Sequence, residues 1–327
     1  MSRWTWHGGG LAAARARFGG VDWLDLSTGI NPRAWPIADD VAIDWRRLPE
    51  ENDLRALEAA AAHHFGAHPD HVCAVPGTEV GLRLVGAMLA AREAVPARHL
   101  VPSYRTHAEF APAIRAVAAD RLAEADGATL ILANPNNPDG RVIAPEALIA
   151  LLERRGAGWL AVDEAFADAL PGIGLAGELR DDRRLVLFRS FGKFFGLAGL
   201  RLGFVLGPRD LLRELRGKLG AWPVSAAAIA IGTRAYADRD WIDAARDFLR
   251  DEAEALDLVL ADAGLAATGA CQLFRLVETD DAGELFEKLA SKAILTRPFA
   301  DRPRWLRLGL PGDEHHLARL AEALRGG

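Results

Sequence analysis

Short apolar runs alternate with helical stretches through the middle of this chain, and that alternation leaves few folds open. The runs Val72–Val75, Leu100–Val101, Thr129–Ala133, Trp159–Val162, Leu185–Phe188 and Leu202–Leu206 lack the polar alternation of half-exposed strands, so they read as strands buried on both faces. Between them, Val80–Ala91, Ala108–Ala119 and Pro145–Arg155 carry apolar residues at three- and four-residue spacing, as one face of a helix requires. Strands joined through helices pair in parallel. The pattern therefore predicts an α/β fold in which helices sandwich a mostly parallel sheet.

After Pro208 the texture changes. Helices are expected at Ser225–Tyr236 and along the charged, periodic stretch Asp240–Ala263. Short strands at Gln272–Val277, Ala293–Thr296 and Trp305–Leu308, with helices at Asp281–Lys288 and Glu314–Leu324, predict a compact α+β unit. The organisation expected is an N-terminal arm over 1–46, rich in Gly, Trp and loops and associated with the small domain, a large domain over 47–232, and a small C-terminal domain over 233–327.

Composition excludes several classes of function. Half the residues are hydrophobic and 26% charged, which rules out disorder and collagen-like structure. No apolar run approaches the roughly 18 residues of a membrane span. Met1–His7 lacks the basic start and apolar stretch of a signal peptide, so a cytoplasmic protein without a membrane partner is expected. A net charge of −6 argues against nucleic acid, whose backbone normally needs a basic face. Cys73 and Cys271 have neither disulfide-framework nor metal-ligand spacing and read as buried and inert. His63, His64, His68 and His71 are irregularly spaced and read as solvated residues, so no metal is expected.

Only four of the 39 basic residues are lysines, and one of them, Lys193, stands in Ser190-Phe-Gly-Lys193-Phe-Phe-Gly-Leu-Ala-Gly-Leu-Arg201 directly after an apolar run. Glycines and aromatics around an amine suit a desolvated nucleophile better than a solvated surface residue, and only lysine among the basic side chains forms a Schiff base. Ser190 and Arg201 add a hydroxyl and a guanidinium, both suited to phosphate. Upstream, Ala161-Val-Asp163-Glu-Ala-Phe166 ends a strand in an acid at its C-terminal edge, where open α/β sheets place ligand groups; alone it also reads as a helix cap. Pro76-Gly77-Thr78-Glu79 opens a helix after a strand, a plain cap or an anion cradle. Asn134-Pro-Asn-Asn137 is by itself turn chemistry.

Together these segments resemble the fold-type I pyridoxal-phosphate enzymes, the aspartate-aminotransferase superfamily, through most of the chain. The resemblance implies pyridoxal 5'-phosphate as cofactor, with Lys193 as its Schiff-base lysine. It implies Gly77, Thr78, Glu79, Ser190 and Arg201 at the cofactor phosphate, Asn137 on the ring oxygen and Asp163 on the pyridine nitrogen. Tyr104 falls where the family stacks an aromatic on the ring, with His107 the competing candidate. Members that transaminate often carry Tyr where this chain has Phe166.

Within the superfamily, Trp6-His7-Gly8-Gly9-Gly10 and Leu26-Ser-Thr-Gly-Ile-Asn31-Pro32 resemble the N-terminal signature of the threonine-phosphate decarboxylases of cobalamin biosynthesis. That resemblance implies a small phosphorylated amino-acid substrate, L-threonine O-3-phosphate, decarboxylated to (R)-1-amino-2-propanol O-2-phosphate. It puts His7, Gly8, Asn31, Arg297 and Arg307 on substrate, with Arg307 as the carboxylate clamp and Arg297 toward the phosphate. A histidinol-phosphate-type aminotransferase and a catalytically idle scaffold are the alternatives. A homodimer with sites at the interface is also implied, although Leu48 stands where members commonly have the tyrosine that reaches the partner's cofactor phosphate.

Overall fold

The computed structural model describes residues 4–37, 41, 43–92 and 94–325. The opening Met1–Arg3, part of the segment expected to lack a signal peptide, lies outside the described residues, as do 38–40 and 42 of the expected arm.

The chain begins with α1 (Leu11–Phe18), β1 (Leu24–Asp25), α2 (Glu51–Phe65), β2 (Val72–Val75), α3 (Thr78–Arg92), β3 (Ala97–Val101) and β4 (Arg115–Ala118). It continues through β5 (Thr129–Ala133), α4 (Pro145–Glu153), β6 (Leu160–Asp163), β7 (Leu185–Ser190), the single turn α5 (Phe191–Phe194) and β8 (Gly203–Leu206). Then follow α6 (Arg209–Leu219), α7 (Ala226–Ala237), α8 (Arg239–Asp262), β9 (Ala267–Thr268), β10 (Phe274–Glu278) and α9 (Ala282–Ser291). The last elements are β11 (Ile294–Leu295), β12 (Arg297–Pro298), β13 (Trp305–Gly309) and α10 (Glu314–Arg325). Among the described residues no helix is long and apolar enough to cross a membrane.

Two compact units form. One comprises Met1–Ala34, Pro138–Gly140 and Ala244–Gly327, the other Trp35–Asn137 and Arg141–Asp243. In the second, larger unit seven strands make one sheet in the order β2-β8-β7-β6-β5-β3-β4. Strand β8 runs antiparallel to β2 and β7, and the other pairs are parallel. The reversal has a local cause. The link from β7 to β8 holds only α5 and a 3-10 turn at Ala198–Leu200 rather than a crossover helix.

Helices α3 and α6 bury Leu82, Val85, Met88, Leu89, Leu211, Leu212 and Leu215 against Val75, Ile131, Phe188 and Val205 of the sheet. Each such side chain, fully removed from water, contributes about 1.5–3 kcal/mol. This packing fixes the N-terminal end of α3 beside the sheet edge where Asp163 and Ser190 lie.

One expected helix is absent. Ala108–Ala119 instead forms a 3-10 turn at Arg105–Glu109 and the edge strand β4, paired in parallel with β3. Pro112 removes a helical hydrogen bond, Ala113 takes a positive φ of 55°, and Val117 suits a strand better than a helix. The expected arm, read as loop, contains the helix α1.

The smaller unit contains a four-stranded antiparallel sheet in the order β12-β13-β10-β9 and a parallel pair of β1 with β11. Helices α1, α9 and α10 belong to it. The cysteines are buried in separate units, and burial pushes both thiols up to about 12, so neither is a reactive thiolate at neutral pH.

Candidate active site

In the larger unit the C-terminal ends of β6 and β7 lie side by side, Asp163 opposite Phe188 in parallel register. Asp163 is buried, and its two oxygens have separate partners. Oδ1 accepts the Ala165 N–H at 3.1 Å, and Oδ2 lies 3.1 Å from Nε2 of His107. Because a carboxylate only accepts, Nε2 carries the proton in that bond. His107 is wholly buried, and its Nδ1 has no hydrogen-bond partner among the described residues. The sequence offered His107 as a rival to Tyr104 for the ring-stacking position; its place in the structure is as the partner of Asp163.

Strand β7 passes straight into α5, whose turn carries Lys193. Phe191, Phe194 and Phe195 are fully buried around it, with Phe191 and Phe195 stacked at 4.5 Å between centroids. These aromatics fix the turn, while Lys193 itself is half-buried with Nζ 5.7 Å from the centre of the Phe166 ring. Phe166 follows Asp163 by three residues. The lysine and the acid singled out in the sequence are thus brought to one end of the sheet.

Gly77 precedes α3 with φ of 87°, and a Cβ there would sit 2.6 Å from Nη2 of Arg201. The positive φ favours glycine here, and without a side chain the backbone lies open to the guanidinium. The first-turn amides of α3 and Arg201 make a cradle suited to a phosphate, because the helix N-terminus offers unsatisfied N–H groups and a partial positive charge. Arg201 is exposed, with Nη1 donating to the Ala198 carbonyl at 3.0 Å. Ser190 is buried at the end of β7 opposite Gly203, and Thr78 is the first residue of α3. The residues present therefore fit a phosphorylated pyridine aldehyde: an amine, a buried carboxylate and an anion cradle in one unit.

Glu79 also stands at the start of α3, but its side chain turns elsewhere. It accepts from Thr106 Oγ1 at 2.8 Å, Arg83 Nε at 2.8 Å and the Tyr104 hydroxyl at 3.2 Å. Asn137 is half-buried at the end of a loop held by its neighbours: Asn134 exchanges two bonds with Ile143, and Asn136 donates to the Pro102 carbonyl at 2.9 Å.

Sequence reasoning missed a buried cluster behind this edge. Arg189 donates to Glu164 at 2.7 Å and to Asp168 at 2.5 Å, and His64 Nε2 lies 3.1 Å from Asp168. The expectation that His64 is solvated is corrected, since its side chain is only 6% exposed. Arg189 and Glu164 directly adjoin Ser190 and Asp163, the one signal the sequence held. Among the described residues no three His, Cys, Asp or Glu come together as metal ligands.

The smaller unit holds the other candidates. Arg297 and Arg307 are opposed across β12 and β13, both buried. Arg297 Nη2 donates to the Trp6 carbonyl at 3.3 Å, and Arg307 Nη2 to the Ser27 carbonyl at 3.0 Å. Burial first, then the neighbouring Arg297, push the Arg307 guanidinium down to about 9. Gly8 lies against the same segment, for a Cβ there would meet the Ser27 carbonyl oxygen at 2.4 Å, and the Gly9 N–H donates to Ser27 Oγ at 2.6 Å. Asn31 is buried and accepts the Arg33 N–H at 2.9 Å, whereas His7 is exposed.

The sequence model of the class I and II aminotransferases matches residues 53–324. The chain belongs to that family. It is accordingly a fold-type I chain with pyridoxal 5'-phosphate as its cofactor. It is similar to a threonine-phosphate decarboxylase of a Sinorhizobium species, with 42% identity over 97% of both chains. A threonine-phosphate decarboxylase of Pseudomonas aeruginosa is 40% identical over 98% of this chain and 97% of its own. Among solved structures, the histidinol-phosphate aminotransferase of Sinorhizobium meliloti in complex with pyridoxal-5'-phosphate has the same fold. Its TM-score is 0.81 at 22% identity, over 97% of this chain and 95% of that one.

Proposed function

We propose that this chain decarboxylates L-threonine O-3-phosphate to (R)-1-amino-2-propanol O-2-phosphate, the reaction class of the two relatives that span nearly its whole length. The observation that carries the reading is the buried pair Arg297 and Arg307 beside Gly8 and Ser27. The two guanidiniums stand together, and each is a donor suited to a carboxylate or a phosphate. Threonine phosphate brings two anionic groups, a carboxylate and a phosphate, whereas histidinol phosphate brings only one.

The cofactor, when bound, supplies an electron sink for the pair left on the α-carbon as the carboxylate departs. The chain's residues do the rest. Lys193 is the amine that holds the cofactor covalently and gives way to the substrate amine. Asp163 keeps the proton on the pyridine nitrogen, its other oxygen fixed by His107. Arg201, Ser190 and the Gly77–Thr78 amides hold the cofactor phosphate, and Asn137 its ring oxygen. Arg307 grips the substrate carboxylate and Arg297 its phosphate. His7 and Asn31 complete the substrate contacts. Phe166 supports this choice over transamination, because a phenyl ring stands where a tyrosine hydroxyl would reach the cofactor. A homodimer belongs to the same reading.

The deciding test is carbon dioxide release from L-threonine O-3-phosphate by the cofactor-loaded chain, with and without 2-oxoglutarate. Release independent of the oxo acid is expected; glutamate formed from 2-oxoglutarate without release would make it an aminotransferase. Arg297→Met and Arg307→Met should each lower kcat/KM by about 10–100-fold, the value of a lost charge-assisted hydrogen bond. Arg297→Met should in addition erase the preference for threonine phosphate over threonine. Equal losses on both substrates would remove the phosphate role from Arg297.

A further inference from the structure

Glu79 follows Thr78 in the first turn of α3, and its carboxylate is engaged by the turn that carries Tyr104 and His107. Three donors converge on it: Thr106 Oγ1 at 2.8 Å, Arg83 Nε at 2.8 Å and Tyr104 OH at 3.2 Å. Arg83 reaches on with Nη2 to Glu109 at 2.9 Å, so the 3-10 turn Arg105–Glu109 is strapped to α3 at both ends. Such a turn is poorly held by its own backbone. Its ends are closed by His107 N–H to the Tyr104 carbonyl at 3.0 Å and Phe110 N–H to the His107 carbonyl at 3.3 Å. Between the straps sits His107, edge-on to the Tyr104 ring at 5.8 Å and bonded to Asp163.

We propose that Glu79 is a positioning residue, whose carboxylate sets the tilt of the Tyr104 ring and, through the same turn, the contact of His107 with Asp163. A carboxylate has about four lone-pair sites, enough for these three donors, and no other side chain of similar reach accepts as many. Burial pushes the Glu79 carboxyl up, but the Thr106 and Arg83 hydrogen bonds outweigh it and hold the group below its usual range, so it is an anion when the turn is closed. The inference rests on reading Tyr104 and Asp163 as the residues that face the cofactor ring.

Its test uses the cofactor and no substrate, so its failure is distinguishable from that of the decarboxylase reading. The dissociation constant of pyridoxal phosphate and the visible circular dichroism of the bound cofactor are measured for Glu79→Ala, Glu79→Gln and Tyr104→Phe/Thr106→Val. Glu79→Ala should weaken the cofactor about tenfold and diminish its dichroic band, while Glu79→Gln, still able to accept from both hydroxyls, should stay within about threefold of the wild type. In the Tyr104→Phe/Thr106→Val background Glu79→Ala should add little, since the bonds it would break are already gone. Far-ultraviolet dichroism checks that Glu79→Ala folds; should it not, the double variant alone must reproduce the loss. A wild-type constant and band in Glu79→Ala, a loss in Glu79→Gln as deep as in Glu79→Ala, or full additivity would each overturn the proposal.

Discussion

Lys193→Ala removes catalysis by about 10³-fold or more and with it the covalent hold on the cofactor. Wild-type chain loaded with pyridoxal phosphate and reduced with borohydride carries the cofactor on one of only four lysines, and the adduct maps to Lys193. In the variant no other lysine takes its place. Lys218 lies on helix α6, Lys288 on α9 and Lys292 directly after α9, so none of them belongs to the turn that follows β7. The size of the loss follows from losing a covalent route altogether rather than weakening one contact. The variant should still bind the cofactor reversibly, since Asp163, Arg201 and the α3 amides remain. An adduct at another lysine, or turnover near that of the wild type, would remove Lys193 from the mechanism.

Arg189→Met should cost the fold about 3–5 kcal/mol, read as a lower urea midpoint at unchanged slope. The arginine neutralises Glu164 and Asp168 where neither meets water, and removing it leaves two buried carboxylates facing each other. Burial pushes Asp168 up, but Arg189 and His64 together bring it down to about 2. A carboxyl depressed in the folded state adds stability that is complete above its unfolded value, near 4, and is lost as the pH falls toward 2. For Glu164, burial prevails over Arg189 and its carboxyl lies above the usual range, so its contribution has the opposite sign. The gap between wild type and Arg189→Met should therefore be widest near neutrality and close as the pH falls from about 4 toward 2. Unfolding free energies within about 1 kcal/mol of each other at pH 7 would mean that Arg189 is not what makes the burial of Glu164 and Asp168 tolerable.

The same cluster marks where local reading stops. Short apolar runs announced the strands β2, β5, β6 and β7, because burial on both faces leaves its trace in consecutive residues. Aromatics and glycines around Lys193, and the acid ending Ala161-Val-Asp163, are likewise contiguous, so the amine and the carboxylate were legible as neighbours of strand ends. The helix expected at Ala108–Ala119 failed for an equally local reason, Pro112, which interrupts a stretch of alanines that suit either state.

What the sequence by itself determined is the α/β class, the small α+β unit and the set of residues at the strand ends, since periodicity and strand-end chemistry act over a few residues. Tertiary structure alone decided which of those residues meet. His107 reaches Asp163 across 56 positions, Glu79 reaches Thr106 across 27, Arg189 reaches Glu164 across 25, and Arg307 reaches Ser27 across 280. Each is a hydrogen bond between side chains or backbone that only tertiary packing brings within 3.2 Å, and no local pattern encodes a partner at that separation.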